Sequence, residues 1–326
     1  MRELPLRLNP LVVPADPVTR FAPAPTGYLH LGHVLNAVFV WGVARRFGGT
    51  VLLRVEDHDR GRCRAEYEEA LLEDLEWLGL EPDRPTVGSF REGLSPFRQS
   101  DRETRYQAAL ADLLERHEGY RCGCSRRRID ELVGAVAAPG APAPAPAPGS
   151  ETRYPGTCRS RPPAAADPAG VRIVMERGAE RFTDLRYGSV EQEPERQCGD
   201  LLVKDRSGRW TYQFAVTVDD WDQGVNLVIR GDDLLASTGR QVRLARLLGR
   251  GAQPVFLHHP LVLKPSGEKL SKASGDTAVA QLRRAGVAAG EVLAEAARRG
   301  GLVAGAGPLR PADLPDLIDH TLKADR

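Results

Sequence analysis

Between Tyr67 and Leu78 the chain sets Tyr67, Leu71, Leu75 and Leu78 three or four residues apart among Glu and Asp. That spacing predicts an amphipathic helix with a single apolar face. Ahead of it, residues 33–47 (HVLNAVFVWGVARRF) are mostly apolar, contain no proline and are long enough for a buried helix. Two short β-rich runs flank that helix: 18–22, and 50–55, the latter leading into Glu56 and Asp57. Strand, helix, strand, helix in so short a stretch predicts a parallel α/β sheet with crossover connections.

Farther along, LLVKD, YQFAVTVDD and NLVIRGDD, between about 200 and 235, read as β-rich and predict that the sheet resumes. A helix carrying Leu244, Leu247 and Leu248 follows, then the strand-like PVFLHHPLVL, the loop KPSGEKLSKASGD, and a helical segment over 277–326. The middle departs from this rhythm. Residues 137–148 are an Ala/Pro run that cannot hold a helix and is expected to be an extended, exposed loop. There is no internal repeat.

Composition narrows the function classes. With 326 residues, 41% hydrophobic and 27% charged, the chain is an ordinary soluble protein of two or three domains. A net charge of +1 excludes a generally basic nucleic-acid-coating protein. Contact with a polyanion must come from a local patch, for which Arg126, Arg127 and Arg128 are candidates. No run of about 18 apolar residues occurs and the N-terminus lacks the apolar core of a signal peptide, so no membrane contact and a cytoplasmic location are expected. Five cysteines, an odd and low count, argue against a secreted disulfide framework. Cys63 and Cys198 stand apart and read as plain structural thiols.

Three places carry chemistry. His30-Leu31-Gly32-His33 follows a Pro-Thr-Gly turn and opens a helix, where free N–H groups and partial positive charge suit phosphate oxygens. Both histidines can donate there, and Gly32 permits close approach of a nucleotide. Lys269 and Lys272 lie in a Gly/Ser-rich loop, from which lysines on flexible stems can close over a triphosphate. Cys122, Cys124 and Cys158, two of them a C-x-C pair, suit a tetrahedral zinc ion with a fourth ligand nearby.

In order along the chain, RFAPAPTGYLHLGH and KLSKA resemble the HIGH and KMSKS signatures of class I aminoacyl-tRNA synthetases. The string Arg20 to Gly27, LLRVEDHD and TYQFAVTVDDWDQGVNLVIRGDDLL resemble the glutamyl-tRNA synthetase branch, the likeness covering roughly residues 18 to 275. The resemblance implies a Rossmann-type α/β catalytic domain, ATP carried with Mg²⁺, and L-glutamate as substrate. It implies an amino-acid pocket of Arg20, Phe21, Ala22, Pro23, Ala24, Glu56, Tyr212 and Arg230. The physical requirement agrees: a fixed cation must hold the side-chain carboxylate and an acid the ammonium, so Arg20 and Arg230 are candidate cations and Glu56 the acid. ATP would meet His30, Gly32, His33 and Lys272, and the catalytic group would be His30, His33, Lys269 and Lys272. The chain departs from the family at Ala24, where serine is usual and a hydroxyl contact near the substrate is missing, and at Ala273, where the lysine loop ends in alanine rather than serine.

The CxC…YxxxC arrangement resembles the zinc site of the truncated, queuosine-directed members of this branch, in which a tyrosine, here Tyr154, is the fourth ligand. Only 53 residues follow Ala273, too few for a large helical anticodon-binding region, so the chain looks like those members. The resemblance then implies tRNA(Asp) carrying queuosine as acceptor, a structural zinc and a monomer. The expected divisions are two halves of the catalytic domain, 18–115 and 196–275, an inserted zinc-binding subdomain over 116–195, and a short helical segment over 276–326. Two other readings fit the residues: a carboxylate-activating ligase or nucleotidyltransferase with a non-tRNA acceptor, and a catalytically silent zinc-bearing tRNA-binding module.

Overall fold

The structure, a computed structural model, describes residues 6–136, 152–262, 277–303, 305 and 307–322. The Ala/Pro run and the loop bearing Lys269, Lys272 and Ala273 lie outside the described residues.

Strands β1 (Val18–Phe21) and β2 (Thr50–Leu53) pair in parallel, Val18 opposite Thr50, and α1 (Leu31–Arg46) is the crossover between them. Helix α1 is apolar nearly all round because it is covered nearly all round, with Val34, Leu35 and every residue from Ala37 to Ala44 buried. Helix α2 (Ala65–Leu78) keeps the predicted stripe, burying Leu71, Leu75 and Leu78, and ends at Gly79, whose φ of 68° is the left-handed stop that glycine adopts without penalty.

The chain continues through α3 (Glu103–Arg116), β3 (Gly119–Cys122), α4 (Arg126–Val136), α5 (Thr157–Ser160), β4 (Gly170–Ile173), β5 (Glu180–Asp184), β6 (Gly188–Gln192), α6 (Pro194–Cys198) and β7 (Leu201–Lys204). Then come α7 (Tyr212–Asp222), β8 (Leu227–Gly231), α8 (Thr238–Leu247), β9 (Val255–His259), α9 (Val279–Arg284), α10 (Ala289–Arg299) and α11 (Leu314–Asp319).

Strands β8, β9 and β5 run in parallel, with β6 as an antiparallel edge. Asn226, just before β8, ties that group to β1: its backbone N–H donates to Val18 O at 3.0 Å, and its Oδ1 accepts from Val18 N at 2.7 Å. The strands therefore lie in the order β2-β1-β8-β9-β5-β6. From β1 the chain crosses to β2 on one side while β8 flanks it on the other. The crevice beyond the carboxyl ends of β1 and β8 is a switch point of the kind where open α/β sheets bind ligands.

A second, antiparallel sheet joins β3, β4 and β7. Strand pairing cuts across the expected division at 195/196. Strands β5 and β6 join the main sheet, where the Phe182 ring packs edge-on to Phe256 at 5.2 Å, whereas β7 joins the small one.

One segment folds otherwise than its residue types suggest. YQFAVTVDD is not a strand but the body of α7. Its β-branched and aromatic residues sit at helical spacing: Phe214, Ala215 and Val218 are buried in one core with Trp221 packed against it. Burial along that stripe outweighs strand propensity. Among the described residues no helix is long and apolar enough to cross a membrane.

Candidate active site

The crevice floor is built from charged groups that have left water. Arg20 leaves β1 at 4% exposure and donates through Nε to Asp220 Oδ1 (2.9 Å) and through Nη1 to Ile229 O (3.2 Å). Arg54, just past β2 and fully buried, donates through Nη2 to the same Asp220 oxygen at 2.8 Å and to Glu56 Oε1 at 3.2 Å. Burial opposes ionisation of Asp220, yet Arg20 and Arg54 outweigh it and hold the carboxyl below its usual range. Glu56 has the opposite balance. Burial pushes its carboxyl up, and Arg54 and Arg20 only partly offset this.

Arg230, on β8, is equally buried at 4% but has a different cradle. Its Nε donates to His258 Nε2 (3.0 Å), Nη1 to Gln241 Oε1 (2.6 Å) and Nη2 to Thr238 Oγ1 (2.7 Å). Every one of these partners is neutral, and burial lowers the guanidinium's hold on its proton. Tyr212, half-buried at the start of α7, lies within electrostatic reach of Glu56, Arg230 and Arg20, and burial raises its phenol. The crevice thus gathers Arg20, Glu56, Tyr212 and Arg230 from four separate elements. Phe21 is not among them: its ring lies in the core, edge-on to Trp41 at 5.5 Å. Pro23 contributes a carbonyl, which accepts from Glu56 N at 3.1 Å, and Ala24 O accepts from Thr26 N at 2.8 Å.

At the mouth, His30 caps α1. Its Nδ1 accepts from Gly32 N (3.0 Å), and His33 Nδ1 accepts from His30 N (3.1 Å). Each neutral ring therefore carries its proton on Nε2, which makes Nε2–H the donor. The N–H of Gly32 is spent on His30, and a Cβ at Gly32 would meet the His30 ring at 2.9 Å, so the glycine makes room for that ring, which lies tilted against His33 at 4.0 Å. Just past the lysine loop, Ala278 bridges to His30, and Val279 N donates to Leu29 O at 2.8 Å. That bridge ties the segment after the lysine loop, from Ala278 on, to the start of α1.

Away from the crevice, Cys122, Cys124 and Cys158 bring their sulfurs within 4.8 Å of one another, Cys124 and Cys158 at 3.6 Å. The Tyr154 hydroxyl reaches the same point, 3.5 Å from Cys122 Sγ, and accepts from Cys158 N at 2.8 Å. Sulfurs around a tetrahedral zinc sit about 3.8 Å apart, given Zn–S near 2.3 Å, so this donor set is spaced to hold a metal ion. Arg172 backs it, with its guanidinium 3.8 Å over the Tyr154 ring and Nε donating to Cys122 Sγ at 3.3 Å.

Arg54, Asp220, His258 and Arg172 were not singled out by sequence motif. Arg54 lies two residues from Glu56 and so on the same side of an extended chain, a usable signal. Asp220 was hidden by reading α7 as a strand.

Residues 17–307 match the family described as tRNA synthetases class I (E and Q), catalytic domain. The Glutamyl-Q tRNA(Asp) synthetase of Symbiobacterium thermophilum is 40% identical over 308 residues, 92% of this chain and 91% of that relative. The glutamate–tRNA ligase of Legionella pneumophila is 39% identical over 272 residues, 82% of this chain but 53% of that relative. The chain thus spans about half the length of such ligases. Among solved structures, the glutamate–tRNA synthetase of Elizabethkingia anophelis superposes with a TM-score of 0.66 at 30% identity, over 80% of this chain and 53% of that one.

Proposed function

The chain belongs to the class I tRNA synthetases of the E and Q group, and from that premise we propose that it activates L-glutamate with ATP and passes the glutamyl group to queuosine in the anticodon of tRNA(Asp). The observation that carries the amino-acid reading is Arg230: a buried guanidinium with only neutral partners, beside Tyr212 and near Glu56. A buried cation without a counter-ion is costly, and an anionic ligand supplies what is missing. Arg20 and Arg54 already share Asp220, so the substrate's side-chain carboxylate belongs on Arg230. Glu56, ionised, takes the ammonium, and Ala22, Pro23, Ala24 and the Phe21 backbone form the wall beside it.

In the first step an oxygen of the glutamate α-carboxylate attacks the α-phosphorus of ATP, and pyrophosphate leaves. The Nε2–H groups of His30 and His33 donate to phosphate oxygens as charge builds, Gly32 leaves room for the His30 ring, and Lys269 and Lys272 supply further positive charge. Mg²⁺ arrives on the triphosphate and screens its charge. In the second step a hydroxyl of the acceptor nucleoside attacks the adenylate carbonyl, AMP leaves, and the hydroxyl proton passes to solvent. Positioning and charge stabilisation suffice for both steps, without a protein nucleophile. Cys122, Cys124, Tyr154 and Cys158 would hold one structural Zn²⁺. The enzyme would act in the cytoplasm as a monomer.

Purified protein with ATP, Mg²⁺ and labelled glutamate, given queuosine-containing or unmodified tRNA(Asp), tests the proposal, with aspartate as control. Label on the queuosine tRNA alone, surviving periodate treatment of the 3′ end, is expected. Glutamate-dependent pyrophosphate exchange with label on neither tRNA would move the acceptor elsewhere, and no exchange at all would end the enzyme reading.

A further inference from the structure

Arg230 does not hold its orientation alone. Behind it, His258 on β9 is fully buried and presents Nε2 to both Arg230 Nε (3.0 Å) and Thr238 Oγ1 (3.1 Å). An imidazole nitrogen can accept from a guanidinium only if it is unprotonated. The other side of the ring settles which nitrogen that is. Nδ1 lies 2.7 Å from Asp184 Oδ2 at the end of β5, and Asp184 is fully buried as well. The same carboxylate accepts from His258 N (3.1 Å), Arg186 N (2.8 Å) and Tyr187 N (3.0 Å), so three backbone N–H groups fix its position. The Nδ1–H donates to Asp184, the Nε2 lone pair is left for Arg230, and burial keeps the ring neutral by pushing its pKa down to about 4.

We propose that Asp184 and His258 are a positioning pair that aims Arg230 at the side-chain carboxylate of the substrate, an inference that rests on the glutamate reading above. A guanidinium has five N–H donors, and His258, Gln241 and Thr238 take one from each nitrogen. One N–H on each terminal nitrogen remains outside these three bonds; the Tyr212 hydroxyl is a further hydrogen-bonding neighbour of the guanidinium, and a carboxylate entering beside it can meet the fork with two parallel hydrogen bonds. Rotation about the Cδ–Nε bond would break all three cradle bonds at once. With the proton on the other nitrogen, His258 would instead point N–H at N–H and push Arg230 out of this orientation.

Two measurements test this. Nitrogen chemical shifts of His258 in the wild-type protein, without substrate, should report the Nδ1–H tautomer; an Nε2–H tautomer overturns the proposal whatever the substrate. Glutamate-dependent pyrophosphate exchange is then compared across variants. His258→Leu removes the acceptor and should raise KM for glutamate about tenfold or more, leaving KM for ATP and kcat within about threefold, as loss of a hydrogen bond to a charged group at a positioning site should. Asp184→Asn, which can donate to Nδ1 and reverse the tautomer, should do the same. His258→Gln keeps an acceptor at the Nε2 position and should restore the glutamate KM. Equal losses in His258→Leu and His258→Gln, or a parallel rise in KM for ATP, would reduce the pair to a structural role. Absence of glutamate-dependent exchange in the wild type, with the tautomer as expected, would instead overturn the glutamate reading beneath.

Discussion

Arg20 Nε and Arg54 Nη2 donate to one and the same oxygen, Asp220 Oδ1, at 2.9 and 2.8 Å. Arg54 also donates to Glu56, so one buried guanidinium links Glu56 to the counter-ion of Arg20. Helix α7, which carries Asp220, and the ends of β1 and β2 are thereby joined by charge as well as by packing.

Asp220→Asn should test that junction. The substitution takes from Arg20 the carboxylate it is bonded to and leaves Arg54 with Glu56 and Asp219, and breaking such a buried pair costs about 3 kcal/mol or more. Urea denaturation should show a loss of that order, together with a raised KM for glutamate because Arg20 is released. A variant within ~0.5 kcal/mol of wild type would show that the three groups are not coupled.

Arg230→Met should give the opposite sign in stability. Arg230 has no carboxylate bonded to it among the described residues, so its removal relieves a desolvation cost instead of exposing one. The apo protein is expected to be at least as resistant to urea as wild type, while KM for glutamate rises roughly thirtyfold or more, about 2 kcal/mol of lost ion pairing. Stability rising as substrate binding falls is the pattern of a site built for a ligand and not for the fold.

How much of this could be read from the residues follows from what motifs record. His30, His33, Glu56 and Arg230 lie in short strings that the family resemblance picks out, so they can be named from the sequence, as can the C-x-C pair. Groups that act from behind are distant in sequence. Asp184 is 74 residues from His258, and Arg172 is 50 from Cys122, joined only when strands pair. The strand assigned to α7 failed because β-branched and aromatic residues fill a buried helix as readily as a buried strand. Strands β5 and β6 join the main sheet and β7 the small one because strand order, not chain order, decides which sheet a segment joins.

Asp74 makes stability depend on pH. It is fully buried on α2, near Arg283 of α9 at 3.3 Å, and burial raises its pKa from 3.8 to about 6. A folded-state value above the unfolded one means the neutral form is favoured in the fold. The contribution is full below about pH 4 and is lost as pH rises through 6. Relative to Asp74→Asn, the wild type should therefore lose on the order of 2 kcal/mol between pH 4 and pH 8. Chemical denaturation of both proteins across that range checks the slope, and a constant difference would mean that Asp74 titrates alike in both states.

The cysteine knuckle should depend on its metal, and the crevice should not. Among the described residues the core around the cysteines comprises four buried residues, Cys122, Ile129, Tyr154 and Cys158, with Tyr120 and Cys124 packed against them, separate from the larger cores beneath the crevice. So small a cluster does not supply folding energy of its own, and a bound metal ion can. The protein as purified should carry one equivalent of zinc, and Cys124→Ser should abolish it. Arg172→Met should hold zinc but release it to a chelator faster, by roughly tenfold, since outer partners of ligands commonly change affinity by that much. Chelation should expose the knuckle to protease and cut transfer to tRNA, while glutamate-dependent pyrophosphate exchange stays near the wild-type rate. Loss of exchange in step with zinc would instead tie the metal to the crevice itself, and unaltered proteolysis after chelation would deny it a structural role.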